Sequence, residues 1–200
     1  MTAESIISML KEISDNGNKK YPVTDFGGVF IFRITFFDKI PNDVANKLID
    51  LNLPDEVIEL LSCTNGLNLF EDEFQGMELG GPVCKIYSGQ EILNRYQESI
   101  DKDLIPILLF RDYGEMCINI RHYKQEKDYL TYPGMEMDKC FKCTFLKWLE
   151  MFIVANGNAF WNGIIDKQPE SLLNFWAIYF SSFPDNKIKE FLLGQILSQQ

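Results

Sequence analysis

Two cysteines, Cys140 and Cys143, form the sharpest chemical pattern in the sequence, a Cys-x-x-Cys pair just before a helical segment. In thioredoxin-like redox sites such a pair lies at a helix N-terminus, where the helix dipole lowers the thiol pKa. A zinc site would need two further ligands, and the other cysteines and the single histidine are isolated in the sequence. A redox or metal role therefore stays open, while two ordinary thiols near a helix start are the simpler interpretation.

The second candidate for chemistry is His122, the single histidine of the chain. Without a second histidine, the sequence offers neither a histidine relay nor a histidine-rich metal site. A Cys–His hydrolase would need a positioned thiol, and the nearest in sequence is Cys117. Those two side chains would share a strand face only if the strand were irregular, so we expect a partly exposed histidine at a strand end.

Familiar catalytic motifs occur only in part in this sequence. Asp25-Phe26-Gly27 matches a kinase triplet, but no kinase catalytic loop precedes it. The glycines between Gly76 and Gly81 do not fit the frames of phosphate-binding loops. Carboxylates are plentiful, but nothing in the sequence fixes the geometry of an acid–base pair. We therefore predict a non-enzymatic protein with no cofactor and no metal.

Acidic residues dominate the charge balance. The chain has 19 Lys and Arg against 29 Asp and Glu, a formal net charge of −10. This balance argues against a nucleic-acid surface and against docking on anionic lipid, and it permits attraction to a basic partner. Most of the excess lies between residues 38 and 80, where the acids at 71–73 are flanked by Phe70 and Phe74. Such a cluster is either a solvated face that maintains solubility or a docking surface for a basic partner.

The compartment is predicted from what the sequence lacks. The charge-free stretches at 151–165 and 171–184 fall short of the roughly 20 apolar residues that span a bilayer. The N-terminal segment carries Glu4 and Glu12, which is not typical of a signal peptide. Five cysteines, an odd number, indicate reduced thiols, so we expect a cytoplasmic protein.

Hydrophobic periodicity and turn residues predict an α+β fold in which helices pack on a largely antiparallel sheet. Predicted helices are an N-terminal helix that stops at 15–17, then 41–51, 55–63, 89–99 and 144–155, with two more after Pro169 and over 185–197. Predicted strands are 29–37, 67–70, 82–87, 104–110, 115–120 and 129–132, with a loop over 18–25. The absence of repeats and low-complexity linkers predicts a single domain over 1–200.

Four segments in order carry a resemblance to a known family. Residues 52–66 place a Leu-Pro pair at the start of a helix that ends in Asn-Gly. SGQEILNRYQ at 88–97, LIPILLFRDYGEMCINI at 104–120 and TFLKWLEMFI at 144–153 follow. Together they resemble the SUKH superfamily of SMI/KNR-type domains, with Glu115 where Asp is more usual. The resemblance covers a core of about 38–156 and leaves out residues 1–37 and a C-terminal helical extension at 158–200.

The resemblance implies an α+β domain without catalytic residues of its own. Most bacterial members look like immunity proteins, which bind and neutralise a cognate polymorphic or contact-dependent toxin inside the producing cell. Many such toxins are nucleases, which tend to be basic, and an acidic chain fits that partner. The yeast branch, named after a cell-wall-synthesis regulator, implies the alternative, a cytosolic scaffold without a toxin partner. A thiol- or metal-dependent enzyme is the third interpretation.

We predict that the chain blocks a toxin by steric and electrostatic occlusion. Its acidic segment and the hairpin turn at 112–115 would meet the partner, with aromatic side chains as apolar anchors. The predicted partner-binding residues are Asp55, Phe70, Glu71, Asp72, Glu73, Phe74, Glu78, Asp112, Tyr113 and Glu115.

Overall fold

An eight-stranded antiparallel sheet organises the part of the chain that the computed structural model describes, residues 2–25, 28–74, 77–111, 114–133, 140–155 and 157. Every strand pairs with its neighbours in sequence, so the sheet is a meander. The strands are β1 (Tyr21–Asp25), β2 (Gly28–Phe36), β3 (Leu67–Phe74), β4 (Met77–Ile86), β5 (Leu104–Phe110), β6 (Gly114–Asn119), β7 (Leu130–Thr131) and β8 (Cys140–Phe141). The predicted α+β class is confirmed.

Helices pack on one another and on this sheet. They are α1 (Ala3–Ser14), α2 (Asn42–Asp50), α3 (Asp55–Cys63), α4 (Gly89–Glu98), α5 (Ile120–Lys124) and α6 (Phe145–Val154). The first helix contacts α3 and β2, α2 contacts α3 and α4, and α4 also contacts β5. The largest side chains that are fully buried include Trp148, Tyr87, Tyr132, Phe70, Phe110 and Phe145.

Local capping signals placed two helices correctly. Helix α3 runs over the predicted 55–63 and starts after Pro54, with two acids in its first turn, where the helix dipole favours negative charge. Helix α4 begins with a complete capping box. The Ser88 hydroxyl accepts from the Glu91 amide, and the Glu91 carboxylate accepts from the Ser88 amide.

The Asn-Gly pair after α3 joins that helix to the start of α4. Asn65 Oδ1 accepts a hydrogen bond from the Gly89 amide at 2.8 Å. A Cβ atom at Gly89 would lie 2.6 Å from Ile40 Cδ1 and 2.8 Å from Val44 Cγ1, so a larger residue there would force these side chains to shift. This corner fixes the helices that later form one side of the candidate site.

The segment 18–25, predicted as a loop, contains strand β1. Pro22 suggested a loop because proline cannot donate a hydrogen bond to a sheet ladder. In the described residues β1 is the first strand in the sheet order and pairs with β2 alone, with Pro22 opposite Ile31. Edge strands tolerate proline because one of their sides needs no ladder hydrogen bonds.

Strands β3 and β4 are longer than predicted and contain an irregular register. Two strand pieces separated by glycines were expected, but β3 and β4 pair from Leu67 opposite Ile86 to Phe74 opposite Met77. On the other side of β3, Arg33 lies opposite Glu71 and Thr35 opposite Asn68. Two residues of β3 therefore face Ile34 alone, which is a β-bulge.

A short helix replaces the predicted end of the 115–120 strand. Strand β6 stops at Asn119, whose side chain accepts from the His122 amide at 3.0 Å and so caps α5. His122 is therefore a half-buried helix residue rather than a strand-end residue.

The chain divides into two compact units, Met1–Glu150 and Met151–Gln200. The predicted helices after Pro169 and over 185–197 lie outside the described residues, and the single-domain organisation stays a prediction. No helix within the described ranges is long and apolar enough to cross a membrane.

Candidate functional site

The predicted partner-binding residues fall at separate places in the fold. Glu71 lies in β3, Glu115 in β6, and Asp55 opens α3. The side chains of Asp72, Glu73, Phe74 and Glu78 lie outside the part of the chain that the structure describes, as do Asp112 and Tyr113 entirely. For those residues a partner-binding role stays a prediction.

Phe70, predicted as a surface anchor, is a core residue. Its exposed fraction is 0%, and its ring meets the edge of Phe32 with centroids 5.3 Å apart. The bulge explains the error, because Leu69 and Phe70 together face Ile34 and Phe70 has a positive φ of 58°. The alternation of inward and outward side chains breaks there, and both residues enter the core.

Glu71 is bound within the sheet. Its carboxylate accepts from Thr35 Oγ1 at 2.6 Å, Arg33 Nε at 2.9 Å and Asn68 Nδ2 at 2.9 Å. Burial alone would raise the pKa of Glu71, but the hydrogen bonds from Thr35, Arg33 and Asn68 outweigh it and lower the pKa. We call Arg33, Thr35, Asn68 and Glu71 the sheet patch. Glu71 therefore stays ionised, and Arg33 balances its charge within the sheet.

Glu115 is likewise tied to neighbouring elements. Its carboxylate accepts from Tyr87 Oη at 2.7 Å and from the Arg95 guanidinium, which lies 4.2 Å above the Tyr87 ring. Burial and the adjacent carboxylate raise the pKa of Tyr87, so its hydroxyl stays a donor. These contacts link β6 to α4 and make Glu115 a packing residue of the described fold.

Glu56, which the sequence did not single out, fixes the start of α6. Its carboxylate accepts from the Phe145 amide at 2.6 Å and the Leu146 amide at 3.4 Å, and from the Tyr129 hydroxyl. The Tyr129 ring in turn meets the edge of Tyr123 at 5.2 Å between centroids. Because Glu56 lies 89 residues before Phe145, no local sequence signal could have found this contact.

Asp55, the neighbour of Glu56 on α3, lies in a groove of about 860 Å³. We call this the α3 groove. It is lined by Thr2, Glu4, Ile49, Asn52, Leu53, Asp55, Ile58, Glu59, Ser62, Cys63 and Tyr123. The groove thus collects residues from the start of α1, the end of α2 with the connection that follows it, the whole length of α3 and the short helix α5.

The lining of the α3 groove contains three carboxylates and no basic side chain. Glu4, Asp55 and Glu59 are all exposed, and no Lys or Arg is among the lining residues, all of which are described. Asp55 and Glu59 are four residues apart on one helix, so they lie on the same face about 6 Å apart along the axis. Burial first, and then the nearby Glu4 carboxylate, raise the pKa of the Cys63 thiol in this groove, and they outweigh the opposite effect of Lys11 and Lys39.

Apolar side chains complete the groove. Leu53 is 5% exposed, and Ile58 is half-buried. Ile49 is 56% exposed, a large aliphatic surface left in water at the end of α2. The structure therefore brings predicted Asp55 together with Glu4, Glu59 and Ile49, which the sequence did not connect to it.

The structure brings His122 next to a different thiol from the one considered in the sequence. Cys117 is 3% exposed, and burial raises its pKa to about 12, whereas Cys140 Sγ lies 3.5 Å from His122 Nδ1. The same Nδ1 lies 3.0 Å from the Asp128 carbonyl oxygen, which can only accept. We assign the proton to Nδ1, and a protonated nitrogen cannot act as a base toward Cys140.

The environment of Cys143 raises its thiol pKa, whereas a redox-active cysteine needs a lowered one. Burial, followed by the carboxylates of Glu56 and Asp128, raises the pKa of Cys143 to about 12. A thioredoxin-like site needs a lowered thiol pKa at the helix start. Here the amides that begin α6 are bonded to Glu56, so the helix N-terminus is occupied by a carboxylate.

Within the described residues, no group of three or more His, Cys, Asp or Glu is placed to hold a metal ion. The chain matches no protein-family model, no curated protein and no solved structure. The resemblance to the SUKH superfamily therefore stays a prediction, and the function is argued from the site.

Proposed function

We propose that this chain is a non-enzymatic protein-binding domain, and that it acts as an immunity protein that neutralises a basic toxin by binding it. The observation that carries the proposal is the α3 groove, where Glu4, Asp55 and Glu59 lie beside apolar side chains with no basic residue among the lining. Exposed carboxylates of this kind steer and hold a partner of opposite charge.

Occlusion is the mechanism. An enzyme that acts on nucleic acid must present Lys and Arg to the phosphate backbone, and its affinity depends on those charges. An acidic protein that covers the same basic surface competes with the substrate and excludes it sterically. No chemistry by the immunity protein is needed, which fits the environments of Cys140 and Cys143.

The second candidate is a cytosolic scaffold of the SMI/KNR type. The exposed carboxylates and the apolar side chains of the α3 groove would suit such a protein partner equally well. The two candidates differ in the partner, which is toxic in one case and a signalling or wall-synthesis protein in the other.

The test begins with tagged protein from its own host, captured at low salt, and with the partner identified by mass spectrometry. The partner is then expressed alone, and together with this chain, in an unrelated bacterium. The proposal predicts that the partner alone arrests growth and that co-expression restores it. A stoichiometric partner that leaves growth unaffected contradicts the immunity role and supports the scaffold.

A further inference from the structure

We propose that the α3 groove binds a basic amphipathic helical segment of the partner, which places one large apolar side chain between Lys or Arg residues one helical turn apart. Since it names the part of the partner that is recognised, the inference rests on the proposed function. Three observations support it: the apolar side chains of the lining, the spacing of the acids and the solvent exposure of the lining residues.

The apolar lining explains the need for a large hydrophobic side chain in the partner. Ile49, Leu53 and Ile58 lie along the groove, and Ile49 is 56% exposed. Covering this surface removes apolar area from water, which is favourable at about 25 cal/mol per Å². A strictly polar cation, such as a polyamine, would leave that surface as it is.

The spacing of the acids sets the spacing of the cations. Asp55 and Glu59 lie one turn apart on α3, and Glu4 faces them from the start of α1. Like charges four residues apart destabilise a helix slightly, and a cation between them relieves that repulsion. Lys or Arg residues at i and i+4 of a partner helix have the matching separation.

The exposure of the lining favours a peptide over a small molecule. Of the lining residues, all described, Leu53 alone is buried. Small-molecule sites enclose most of the ligand in a mainly apolar cavity. A groove with exposed acidic and polar side chains along its length instead matches a segment that lies on the surface and keeps its polar face in water.

Two matched variants of the full chain distinguish binding in the groove from attraction to the overall negative charge of the protein. The groove variant is Glu4→Gln/Asp55→Asn/Glu59→Gln. The control variant, Glu12→Gln/Asp43→Asn/Glu98→Gln, changes exposed acids that do not line the groove. Both remove three charges from a net charge of −10, and each changes one aspartate in a first helical turn.

The probe is a fluorescently labelled amphipathic peptide of roughly 16 residues, enough for four helical turns. It carries a leucine stripe flanked by Lys residues at i and i+4. Matched peptides replace Lys by Glu, or Leu by Ser. Fluorescence anisotropy measures the affinity of each peptide at low salt and at about 0.15 M ionic strength.

We expect the Lys–Leu peptide to bind wild type and the control variant equally. The groove variant should bind it about tenfold more weakly, the sum of three exposed charge pairs. Ile49→Ser, and the Leu-to-Ser peptide, should each weaken binding about fivefold at either salt. The Glu peptide should not bind.

Equal loss of affinity in the groove and control variants would mean general charge attraction and would overturn the inference. If the Leu-to-Ser peptide bound as tightly as the Lys–Leu peptide, the groove would recognise cations alone. That result would also overturn the inference. If no peptide binds wild type, the inference fails, while growth rescue by this chain still decides the proposed function. Growth rescue by the groove and control variants shows whether the groove inference alone has failed or the proposed function as well.

Discussion

The sheet patch and the α3 groove both contain carboxylates, but the carboxylate of the sheet patch is paired with Arg33 and those of the groove are exposed. In the sheet patch, Glu71 accepts three side-chain hydrogen bonds, one of them from Arg33. In the groove, Asp55, Glu59 and Glu4 are exposed and no Lys or Arg shares the lining. The number of acids in a segment therefore does not show which carboxylates are free of side-chain partners, and we base the proposed binding surface on exposure and pairing instead.

The same contrast appears between adjacent residues of α3. Glu56 holds the start of α6 and positions Tyr129, against which Tyr123 of the groove wall packs. Asp55 lies exposed in the groove. Glu56 stabilises the fold beside the groove, whereas Asp55 is the residue that we propose contacts the partner. Substitution of Glu56 should therefore lower stability, and substitution of Asp55 should weaken binding.

The largest effect on stability is expected for Glu56→Ala. It removes the carboxylate that accepts from the Phe145 and Leu146 amides and from the Tyr129 hydroxyl, and it leaves the Phe145 amide only its longer bond to Tyr129 Oη. We expect a loss of about 3 kcal/mol in the free energy of unfolding. Asp55→Ala, the matched control, should change it by less than about 0.5 kcal/mol. Urea unfolding followed by tryptophan fluorescence measures both. Similar losses in the two variants would contradict the division of roles.

Glu71→Gln should cost about 1.5 kcal/mol at pH 7, because a charged acceptor of three hydrogen bonds is lost. The cost should depend on pH. Folding lowers the pKa of Glu71 below its ordinary value of 4.5, so its stabilisation is present above that pH and disappears as the pH falls through the folded value. The difference between wild type and variant should therefore shrink below pH 4.5. A constant difference from pH 7 to pH 3 would count against the sheet patch.

Tyr87→Phe should cost about 1 kcal/mol, the net value of an ordinary hydrogen bond, because Arg95 still binds the Glu115 carboxylate in the variant. A double-mutant cycle with Glu115→Gln measures the coupling between the two side chains. We expect the double variant to be more stable than the sum of the single losses predicts. Strict additivity would show that the contact between Tyr87 and Glu115 does not contribute to stability.

The smallest effect on stability is expected for the groove variant. Its loss of favourable first-turn charges at Glu4 and Asp55 is offset by relief of the repulsion between Asp55 and Glu59. We expect a change within about 0.5 kcal/mol, measured by the same urea titration. A large destabilisation would show that these acids serve the fold, and it would remove the contrast with Glu71.

Local signals allowed much of the fold to be predicted. Pro54 with its following acids and the Ser88–Glu91 capping box depend on neighbours in sequence, and α3 and α4 appeared where they were expected. Strand β1 was missed because Pro22 is compatible with a strand only at an edge, and edge position is a property of the whole sheet.

The candidate site could be predicted only in part. Asp55 was predicted from charge, but its association with Glu4 and Ile49 depends on how α1, α2 and α3 pack. Phe70 was misassigned because a bulge reverses side-chain direction, and the periodicity of the sequence contains no sign of it. The contact between Cys140 and His122 likewise joins β8 to α5 across 18 residues.

Hydrogen exchange of the complex with the captured partner compares the two acidic regions in one experiment. If the groove is the binding surface, amide protection on binding should appear at the start of α1, over residues 49–63 and around Tyr123. The β3–β4 hairpin should exchange as it does in the free protein. Protection confined to residues 71–78 and 112–115, with none over 49–63, would contradict the assignment of the partner site to the α3 groove.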